Sequence, residues 1–490
     1  MLKIYHTYKR KLIPFKPIEE GKVKMYNCGP TVYDFLTIGN MRYFIWCDLI
    51  RRSFEYLGFD VKQVMNITDV GHLTMTEAQK KQAELKCGKL ELTDTDDGLD
   101  RLEKAAKREG LSVKQIAGKY TEAVFGKDYE RKKILGKDGD LGKLNILKPH
   151  ILPKASEHVK EQIELIKVLE DKGFTYKTKQ AVYFDISKFK NYEKLTGQSL
   201  EDMQCGDRAD TSDPDRKNPA DFRLWQLDQP KHEMQWDSPW GKGFPGWHIE
   251  CSAMSRKYLG QPFDVHTGGE DHIKLHHVNE IAQSESAFEK PMANFWIHVL
   301  FLTIEGKRIG KSLGNAFIMK DVEERGFHPL DLRYLFLQAH YRSKQDFTWK
   351  ALKAARSARE KIVDFVKENI SDKSGKVIKK YKEDFLKSLE NDFKICKSLA
   401  IMWDVIKSDE KIEDKLQTVF DFDRVLGLGL TGIKQEKRKP DEKKEIENLI
   451  KEREEARRNK DWEKADDIRD ELKKMGIGVK DTDAGTEISS

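Results

Sequence analysis

Residues 244–284, FPGWHIECSAMSRKYLGQPFDVHTGGEDHIKLHHVNEIAQS, contain the pattern that decides the fold. Apolar residues recur at helical spacing in 248–258 and again from about 273 to 288, which predicts two helices. Between them, 263–266 is a short apolar run typical of a buried strand. The order helix, strand, helix predicts an α/β domain.

The N-terminal part predicts the same class of fold. KVKMYN (22–27) reads as a strand, 39–57 as a helix with apolar residues on one side, and the β-branched run 60–70 as a second strand. A strand–helix–strand unit of this length forms a right-handed crossover between parallel strands. We therefore expect a parallel, nucleotide-binding sheet.

The stretch 244–284 is also dense in metal-ligand types. His276 and Glu280 are four residues apart, so on a helix they share one face and can converge on one ion. Cys251 and the distant Cys28 supply the thiolates that zinc accepts, if the fold brings the segments together. The alternative is that these cysteines and histidines are ordinary packed core residues.

Composition excludes several classes of protein. The chain has 490 residues, of which 38% are hydrophobic and 35% charged, so several solvated domains are expected. The net charge of +6 permits nucleic-acid binding through local patches without requiring it. The six cysteines are sparse and irregularly spaced, and neither a signal peptide nor a membrane-length apolar run is present. These features predict a cytoplasmic protein with reduced thiols and no membrane partner.

Three short motifs are candidates for binding phosphate. TIGN, Thr37 to Asn40, opens the first long helix, where Gly39 lets a ligand approach the backbone and the helix N-terminus favours an anion. KRIGKSLGN (307–315) can form a glycine-containing loop around a polyphosphate, with Lys311 as the point charge. HTGGED (266–271) places two glycines at the carboxyl end of a strand. The alternatives are an ordinary N-cap turn for TIGN and a basic surface turn for the loop.

The rest of the chain is divided by composition. A charged insertion is expected at 72–110, helices at 113–129 and 155–172, and a hairpin at 174–186. After Asn315 apolar spacing predicts helices at 350–368, 376–406 and 413–426. A charged linker at 434–444 precedes a small helical unit that contains Trp462 and closes with a hairpin around Ala484 and Gly485.

Five motifs then identify a family. CGPTVYDFLTIGN, NITDVGHLT, FPGWHIECSAMS, FDVHTGGEDHIKLHHVNEIAQSE and GKRIGKSLGN resemble, in order and spacing, the signatures of the cysteinyl-tRNA synthetases, which are class I aminoacyl-tRNA synthetases. The final EREEARRNKDWEKADDIRDELKKMGIGVKDT resembles the family's C-terminal anticodon-recognition unit. The resemblance covers nearly the whole chain.

The resemblance implies an α/β architecture in which a Rossmann-like catalytic domain carries an inserted connective domain. A helical bundle and a small C-terminal anticodon-binding unit follow. The expected boundaries are 1–112 and 244–300 for the catalytic halves, 113–243 for the insertion, 301–349 for the stem-contact region, 350–433 for the bundle and 434–490 for the linker and C-terminal unit.

The resemblance also implies an activity and its site residues. The family activates L-cysteine with ATP and Mg²⁺ and transfers it to tRNA(Cys), with one Zn²⁺ per chain recognising the substrate thiolate, and we expect a cytoplasmic monomer. The implied zinc ligands are Cys28, Cys251, His276 and Glu280. The implied catalytic residues are Thr37, Asn40 and Lys311, the ATP-binding residues Ile38, Gly39, Gly268, Gly269, Asp271, Arg308, Lys311 and Ser312, the substrate-binding residues Thr68, Trp247 and His266, and the tRNA-binding residue Trp462.

Two departures from the family pattern leave alternatives open. TIGN stands in place of HIGH, so Thr37 and Asn40 replace two imidazoles, and 308–312 (RIGKS) stands in place of KMSKS. The rival interpretations are a cysteine ligase acting on a small amine and a non-catalytic, synthetase-like RNA-binding protein. Trp462 is equally consistent with stacking on an anticodon base and with the core of its small unit.

Overall fold

The structure is a computed structural model that describes residues 1–70, 100–127, 129, 135–196, 213–218, 220–227, 232–310, 313–370, 373–433, 440–474, 478–482 and 485–489. The strands in this part of the chain are β1 (Lys3–His6), β2 (Lys11–Pro14), β3 (Lys22–Asn27), β4 (Asp60–Met65), β5 (Thr175–Lys177), β6 (Ala181–Phe184), β7 (Phe222–Gln226), β8 (Phe244–Pro245), β9 (Phe263–Gly269), β10 (Ala293–Val299), β11 (Leu302–Ile304), β12 (Lys307–Arg308), β13 (Gln345–Phe347), β14 (Gly478–Thr482) and β15 (Gly485–Ser489).

The α-helices in the same ranges are Ile38–Tyr56, Arg101–Glu109, Val113–Phe125, Asp140–Lys143, Val159–Asp171, Tyr192–Thr196, Trp247–Leu259, His276–Phe288, Met319–Glu324, Pro329–Leu337, Trp349–Asn369, Lys379–Glu390, Ile395–Lys407, Ile412–Leu426, Pro440–Arg458 and Trp462–Lys474. Short 3₁₀ helices span Ala155–His158, Ile186–Lys188, Glu270–His272 and Leu430–Gly432.

Strands β10, β9, β3 and β4 form a four-stranded parallel sheet in that order. The helix Ile38–Tyr56 joins β3 to β4, which confirms the predicted crossover. The register places Tyr26 beside His266 on neighbouring strands. All four strands end at one edge, so the segments that follow them lie close together, where open α/β sheets bind ligands.

The region inserted between the two halves of this sheet has its own antiparallel sheet, in the order β5-β6-β7-β8. The predicted hairpin at 174–186 is confirmed as β5 and β6. The helix Val159–Asp171 contributes Leu165, Ile166 and Leu169 to the hydrophobic cluster under this sheet. Since β8 leads directly into the helix Trp247–Leu259, the inserted sheet positions the start of that helix.

Several predicted element bounds were wrong. The second strand ends at Met65 instead of Val70, since Asn66 to Asp69 leave the sheet to pair with neighbouring loops. The last helix of the core begins at His276 instead of 273, because the short 3₁₀ helix Glu270–His272 precedes it. The predicted helix at 113–129 ends at Phe125, where Gly126 adopts a positive φ.

The predicted helix at 376–406 is two helices, Lys379–Glu390 and Ile395–Lys407. The break is at Asp392 and Phe393, whose φ angles of 59° and 52° are incompatible with a right-handed helix. The Asp392 carboxylate stabilises the break, because it accepts hydrogen bonds from Tyr5 N at 2.8 Å and from the Tyr341 hydroxyl at 2.6 Å. Tertiary contacts therefore override the apolar periodicity.

The expected charged insertion at 72–110 is ordered at its C-terminal end. Asp100 caps the helix Arg101–Glu109 by accepting from Leu102 N at 2.6 Å, and Leu102, Ala105 and Ala106 are buried in the main core. Residues 71–99 lie outside the described residues.

The C-terminal unit consists of the helices Pro440–Arg458 and Trp462–Lys474 and the hairpin β14–β15. Its small core contains Ile446, Ile468 and Leu472. The predicted hairpin is confirmed by the pairing of Thr482 with Gly485, while Ala484 itself lies outside the described residues. Among the described residues, none of the helices is long and apolar enough to cross a membrane.

Candidate active site

The candidate site lies at the carboxyl edge of the parallel sheet. Cys28 follows β3 directly, and its main-chain N–H donates to Thr267 O of β9 at 3.2 Å. Cys251 is in the second turn of the helix Trp247–Leu259, and His276 is the first residue of the helix His276–Phe288. Glu280 lies one turn further along the same helix, as the four-residue spacing predicted.

The structure brings together Cys28, Cys251, His276 and Glu280. Their ligand atoms all lie within 4.8 Å of one another, and all four residues are buried. Nε2 of His276 is 2.9 Å from Oε1 of Glu280, and Sγ of Cys28 is 4.0 Å from the same oxygen. Two sulfurs, one imidazole and one carboxylate form a donor set of the kind that zinc accepts.

The electrostatics of the cluster favour cation binding. Burial raises the pKa of Cys251, but a hydrogen bond with Cys28 and the proximity of His276 lower it to about 6. Burial would also raise the pKa of Glu280, yet His266 and His276 lower it to about 2. One thiolate and one carboxylate thus face the His276 imidazole. Against the effect of burial, Glu280 and Cys251 raise the pKa of that imidazole to about 10, so a metal ion would bind in exchange for the imidazole proton. Burial and the hydrogen bond with Cys251 raise the pKa of Cys28 well above its usual value.

A second group of candidate ligands overlaps the first and consists of Cys28, His266, His277 and Glu280. His277 Nε2 is 3.2 Å from Cys28 Sγ, and His266 Nε2 is 2.9 Å from Glu280 Oε2. This group has one thiol where the first has two, so it is the poorer match to the thiolate preference of zinc.

The histidines around the cluster fix its geometry. His248 Nδ1 lies 3.0 Å from His276 Nδ1, which leaves Nε2 of His276 directed toward Glu280. His277 Nδ1 lies 2.7 Å from His298 Nε2, whose ring is held in turn by the Thr7 hydroxyl at 2.8 Å. Outer hydrogen bonds of this kind set the tautomer and orientation of a ligand imidazole.

The residues that the resemblance implies for the amino-acid pocket are at the same site. The Trp247 ring centroid is 4.4 Å from that of His276, and the buried His266 ring stacks on Trp296 at 4.6 Å. The Thr68 hydroxyl is buried and donates to Glu250 Oε2 at 3.3 Å. Trp247 thus packs directly against one of the four candidate ligands, and Thr68 contacts the residue that precedes another, Cys251.

TIGN forms the N-terminus of the helix Ile38–Tyr56, as predicted. Thr37 is the N-cap of this helix. Thr37 and Asn40 form a capping box, in which Asn40 N donates to Thr37 Oγ1 at 3.3 Å. The Thr37 hydroxyl donates to Asn40 Oδ1 at 2.8 Å. This contact uses the only proton of the hydroxyl, so Thr37 can donate to a phosphate only if its hydroxyl turns away from Asn40; the two bonds of the capping box, from Asn40 N and from Thr37 N, do not use that proton.

The loop after β12 packs against this helix end. Ile38 N donates to Phe317 O at 2.9 Å, and the side chain of Ile309 faces Gly39. The side chain of Asn315 closes the loop, because its Oδ1 accepts from Gly310 N and its Nδ2 donates to Arg308 O, both at 2.9 Å. Lys311 and Ser312 lie outside the described residues.

The glycines of HTGGED also lie at this edge of the sheet. A Cβ on Gly268 would collide with the ring of His277, and one on Gly269 would collide with the Asp271 carboxylate. Asp271 itself is mostly exposed. The two glycines therefore allow the His277 ring and the Asp271 carboxylate to lie directly against the backbone.

Trp462 is not part of the core of its unit, since its side chain is 57% exposed. The Arg457 guanidinium lies 5.8 Å from the ring centroid. An exposed indole beside a cation is a surface suited to stacking with a base.

Sequence reasoning missed Asn66 and Glu250. Both are buried polar residues, and both hydrogen-bond the Thr68 hydroxyl. Glu250 adjoins Cys251 in the sequence and Asn66 lies in NITDVGHLT, so a search for polar residues next to the candidate ligands would have found them.

Two family models match the chain. The tRNA synthetases class I (C) catalytic domain matches residues 14–357, and the cysteinyl-tRNA ligase anticodon binding domain matches residues 439–488.

Curated relatives match along the whole length. The chain is 40% identical to the cysteine–tRNA ligase of Treponema denticola, covering 98% of each chain, and 40% identical to cysteine–tRNA ligase 1 of Burkholderia lata, covering 99% of this chain and 96% of the relative. It is 36% identical to the cysteine–tRNA ligase of Borrelia turicatae, covering 100% of this chain and 99% of the relative.

Solved structures share the fold. Methionyl-tRNA synthetase of Mycobacterium tuberculosis, in complex with methionyl-adenylate, superposes with a TM-score of 0.51 at 12% identity, covering 83% of this chain and 90% of that one. The LeuRS–tRNA–LeuAMS ternary complex of Agrobacterium radiobacter gives a TM-score of 0.53 at 11% identity, covering 85% and 84%. These similarities confirm the predicted class of fold, a Rossmann-like parallel sheet followed by a helical region.

Proposed function

Because the chain belongs to the cysteinyl-tRNA synthetase family and is therefore a class I cysteine–tRNA ligase, we propose that its cluster of four buried ligands binds one zinc ion for recognition of the substrate thiolate. The observation that carries this proposal is the convergence of Cys28, Cys251, His276 and Glu280 from three separate segments. Both thiols belong to a buried hydrophobic cluster, but packing alone does not call for an imidazole and a carboxylate beside them, and the four groups together fit the ligand preferences of zinc.

Selecting cysteine over serine explains why such a site is needed. A pocket that separates sulfur from oxygen by size gains on the order of 1–3 kcal/mol. When bound, zinc supplies an affinity for a thiolate that a neutral hydroxyl cannot match. His248, through its contact with His276, and the pair of His266 with Glu280 hold the ligands in place for that task.

The first step of the proposed reaction is formation of cysteinyl-adenylate. The cysteine carboxylate attacks the α-phosphorus of ATP, and pyrophosphate leaves with Mg²⁺. Residues of the three phosphate motifs act here by position and charge. The proposed contacts to ATP come from Thr37, Ile38, Gly39, Asn40, Gly268, Gly269, Asp271, Arg308, Lys311 and Ser312.

The two polar residues of TIGN, Thr37 and Asn40, differ in the hydrogen-bond donors that they have left for a phosphate. Thr37 already gives its proton to Asn40, while the side-chain amide of Asn40 keeps an N–H₂ group with two donors. We therefore assign Asn40 as the stronger phosphate donor of the pair, and Thr37 as the residue that orients it. Main-chain amides in the first turn of the helix, such as that of Gly39, add to the binding of phosphate.

The second step transfers the cysteinyl group to the terminal ribose of tRNA(Cys). The match of residues 439–488 to an anticodon-binding family supports tRNA as the acceptor over a small amine. We propose that Trp462 stacks on an anticodon base. We also propose a cytoplasmic monomer with the domain division 1–112, 113–243, 244–300, 301–349, 350–433 and 434–490, in which 301–349 contacts the acceptor stem.

The test is a pair of assays on the purified full-length chain. Cysteine-dependent ATP–pyrophosphate exchange followed by charging of tRNA(Cys), with about one zinc per chain by elemental analysis, is the expected result. Exchange without charging would point to a small-amine ligase, and absence of exchange would point to a non-catalytic protein. Full activity in protein stripped of metal would overturn the assignment of zinc to cysteine recognition.

A further inference from the structure

A chain of buried hydrogen bonds connects the loop after Cys28 to the helix that carries Cys251. Gly29 N donates to Asn66 Oδ1 at 2.8 Å, and Asn66 Nδ2 donates to the Thr68 hydroxyl at 2.9 Å. The Thr68 hydroxyl then donates to Glu250 Oε2 at 3.3 Å. We call these four residues, Gly29, Asn66, Thr68 and Glu250, the threonine relay.

The backbone at both ends of Thr68 is also held. Thr68 N donates to Pro30 O at 3.0 Å, and Val32 N donates to Thr68 O at 3.1 Å. Gly29 lies so close to the main chain of Asn66 that no side chain fits there. Because the backbone is fixed on both sides, the direction of the Thr68 hydroxyl is set by its two side-chain partners.

Within the relay, the Thr68 hydroxyl can accept one further hydrogen bond but cannot donate one. A hydroxyl has one proton to donate and two lone pairs that accept. Glu250 takes the proton, and the Asn66 amide occupies one lone pair. The remaining lone pair can accept a hydrogen bond, but the hydroxyl has no proton left to give to a carboxylate.

We propose that Asn66 and Glu250 are positioning residues that fix Thr68 as an acceptor for the ammonium group of the substrate cysteine. This inference rests on the proposed function, since it takes Thr68 as part of the amino-acid pocket. The relay thereby orients the amino acid: its ammonium group meets Thr68, its thiol meets the metal cluster, and its carboxylate is left to face ATP.

Burial supports an orienting role over a direct one. Asn66 is 1% exposed and Glu250 is 0% exposed, so neither side chain contacts bulk solvent. Oε1 of Glu250 has no hydrogen-bond partner among the described residues. A buried carboxyl group with a single hydroxyl as its hydrogen-bond partner is poorly explained by packing, because an apolar side chain would fill the same space without burying a polar group.

The test compares two ligands that differ only in the ammonium group. L-Cysteine is measured by its KM in ATP–pyrophosphate exchange, and 3-mercaptopropionate, which has the thiol and carboxylate alone, by its inhibition constant. In Glu250→Leu and in Asn66→Asp, whose carboxylate still accepts from Gly29 N but cannot donate to Thr68, the cysteine KM should rise about tenfold or more. The inhibition constant of 3-mercaptopropionate and kcat should change little.

Two further variants serve as controls. Glu250→Gln keeps an oxygen that accepts from Thr68, so it should restore a KM near that of the wild type. Gln283→Leu removes a buried hydrogen bond from Ser252, at 2.6 Å, without touching the relay, so it should leave the ratio of the two constants unchanged.

The possible outcomes distinguish a failure of the proposed function from a failure of the positioning role of Asn66 and Glu250. If wild-type protein shows no cysteine-dependent exchange, the proposed function fails. If exchange is normal but Glu250→Leu and Asn66→Asp weaken both ligands equally, or lose bound metal, the relay is merely structural and the inference is wrong. An unchanged cysteine KM in both variants would also overturn it.

Discussion

A Cβ atom on Gly39 would lie 2.7 Å from Cδ1 of Ile309, so the first turn of the helix Ile38–Tyr56 and the loop after β12 are in direct contact. These two segments carry the TIGN and RIGKS motifs. Nearly all real Cβ contacts are longer than this, so any side chain at position 39 must displace Ile309. The glycine therefore determines how closely the two proposed phosphate-binding segments approach.

The substitution Gly39→Ala should displace the end of the Ile309 side chain, at the place where the two proposed phosphate-binding segments meet, without unfolding the protein. Only the flexible end of Ile309 has to shift, so the melting temperature should change little. The KM for ATP should rise roughly tenfold, the effect of about 1.4 kcal/mol. Pyrophosphate exchange at varied ATP measures it.

Gly118→Ala is the matched control, because a Cβ on Gly118 in the helix Val113–Phe125 meets nothing within 4 Å. It should leave the KM for ATP unchanged and slightly stabilise the helix. Equal effects of the two substitutions would show that the contact between Gly39 and Ile309 has no role in ATP binding.

The substitution Cys251→Ser should remove metal and weaken cysteine binding. Loss of one of four ligands should lower metal affinity by at least about 100-fold, the upper end of the effect of losing an outer-shell contact. Elemental analysis and the cysteine KM are the measurements. Cys396→Ser, at a free cysteine outside the cluster, should retain both values. Normal activation of cysteine by the Cys251 variant would contradict the ligand assignment.

The substitution Trp462→Ala should separate the two proposed steps. Since the side chain is 57% exposed, its loss should hardly destabilise the unit, while a lost stacking contact of ~1–3 kcal/mol should raise the KM for tRNA(Cys) about 5- to 150-fold. Pyrophosphate exchange should be unaffected, and Trp462→Phe should recover part of the loss. Leu472→Ala, at a fully buried position, should instead destabilise the unit. Normal charging by Trp462→Ala would rule out the base contact.

Asp140 should make stability depend on pH. Burial, with Glu323 nearby, raises the pKa of its carboxyl from 3.8 to about 7, against the attraction of Lys143. The folded chain therefore binds this proton more tightly than the unfolded chain, so stability falls as pH rises from about 4 through 7. At about 1.36 kcal/mol per pKa unit, the loss is at most about 4 kcal/mol.

The substitution Asp140→Asn should remove this dependence. The melting temperature of the variant should exceed that of the wild type at pH 8, and the difference should shrink toward pH 4. A constant difference at all pH values would contradict the shifted pKa of Asp140.

Local pattern was enough to predict one half of the candidate site. Helical spacing placed His276 and Glu280 on one face, and the crossover around the helix Ile38–Tyr56 predicted parallel pairing of β3 and β4. Periodicity could not predict that Cys28 lies close to Cys251. Their proximity depends on the pairing of β3 with β9, and a periodic pattern does not reveal the order of strands in a sheet. Only the family resemblance linked them.

The missed features depend on partners distant in sequence. The apolar spacing of 376–406 favours one helix, and the break at Asp392 exists because its carboxylate is bound by Tyr5 and Tyr341. The Thr68 hydroxyl likewise depends on Glu250, which is 182 positions away. Single-sequence reasoning has no access to the pairing of Thr68 with Glu250, although Asn66 and Glu250 themselves lie next to motif residues and could have been singled out as buried polar candidates.

The helix break at Asp392 has a consequence for the order of folding during synthesis. Tyr5 N and Lys3 O of strand β1 both pair with Asp392, which is 387 positions downstream of Tyr5 and is therefore translated much later. Since domains fold as the chain emerges, the N-terminal hairpin lacks these partners until residue 392 has left the ribosome. Strand β1 is therefore translated well before it can reach these native contacts.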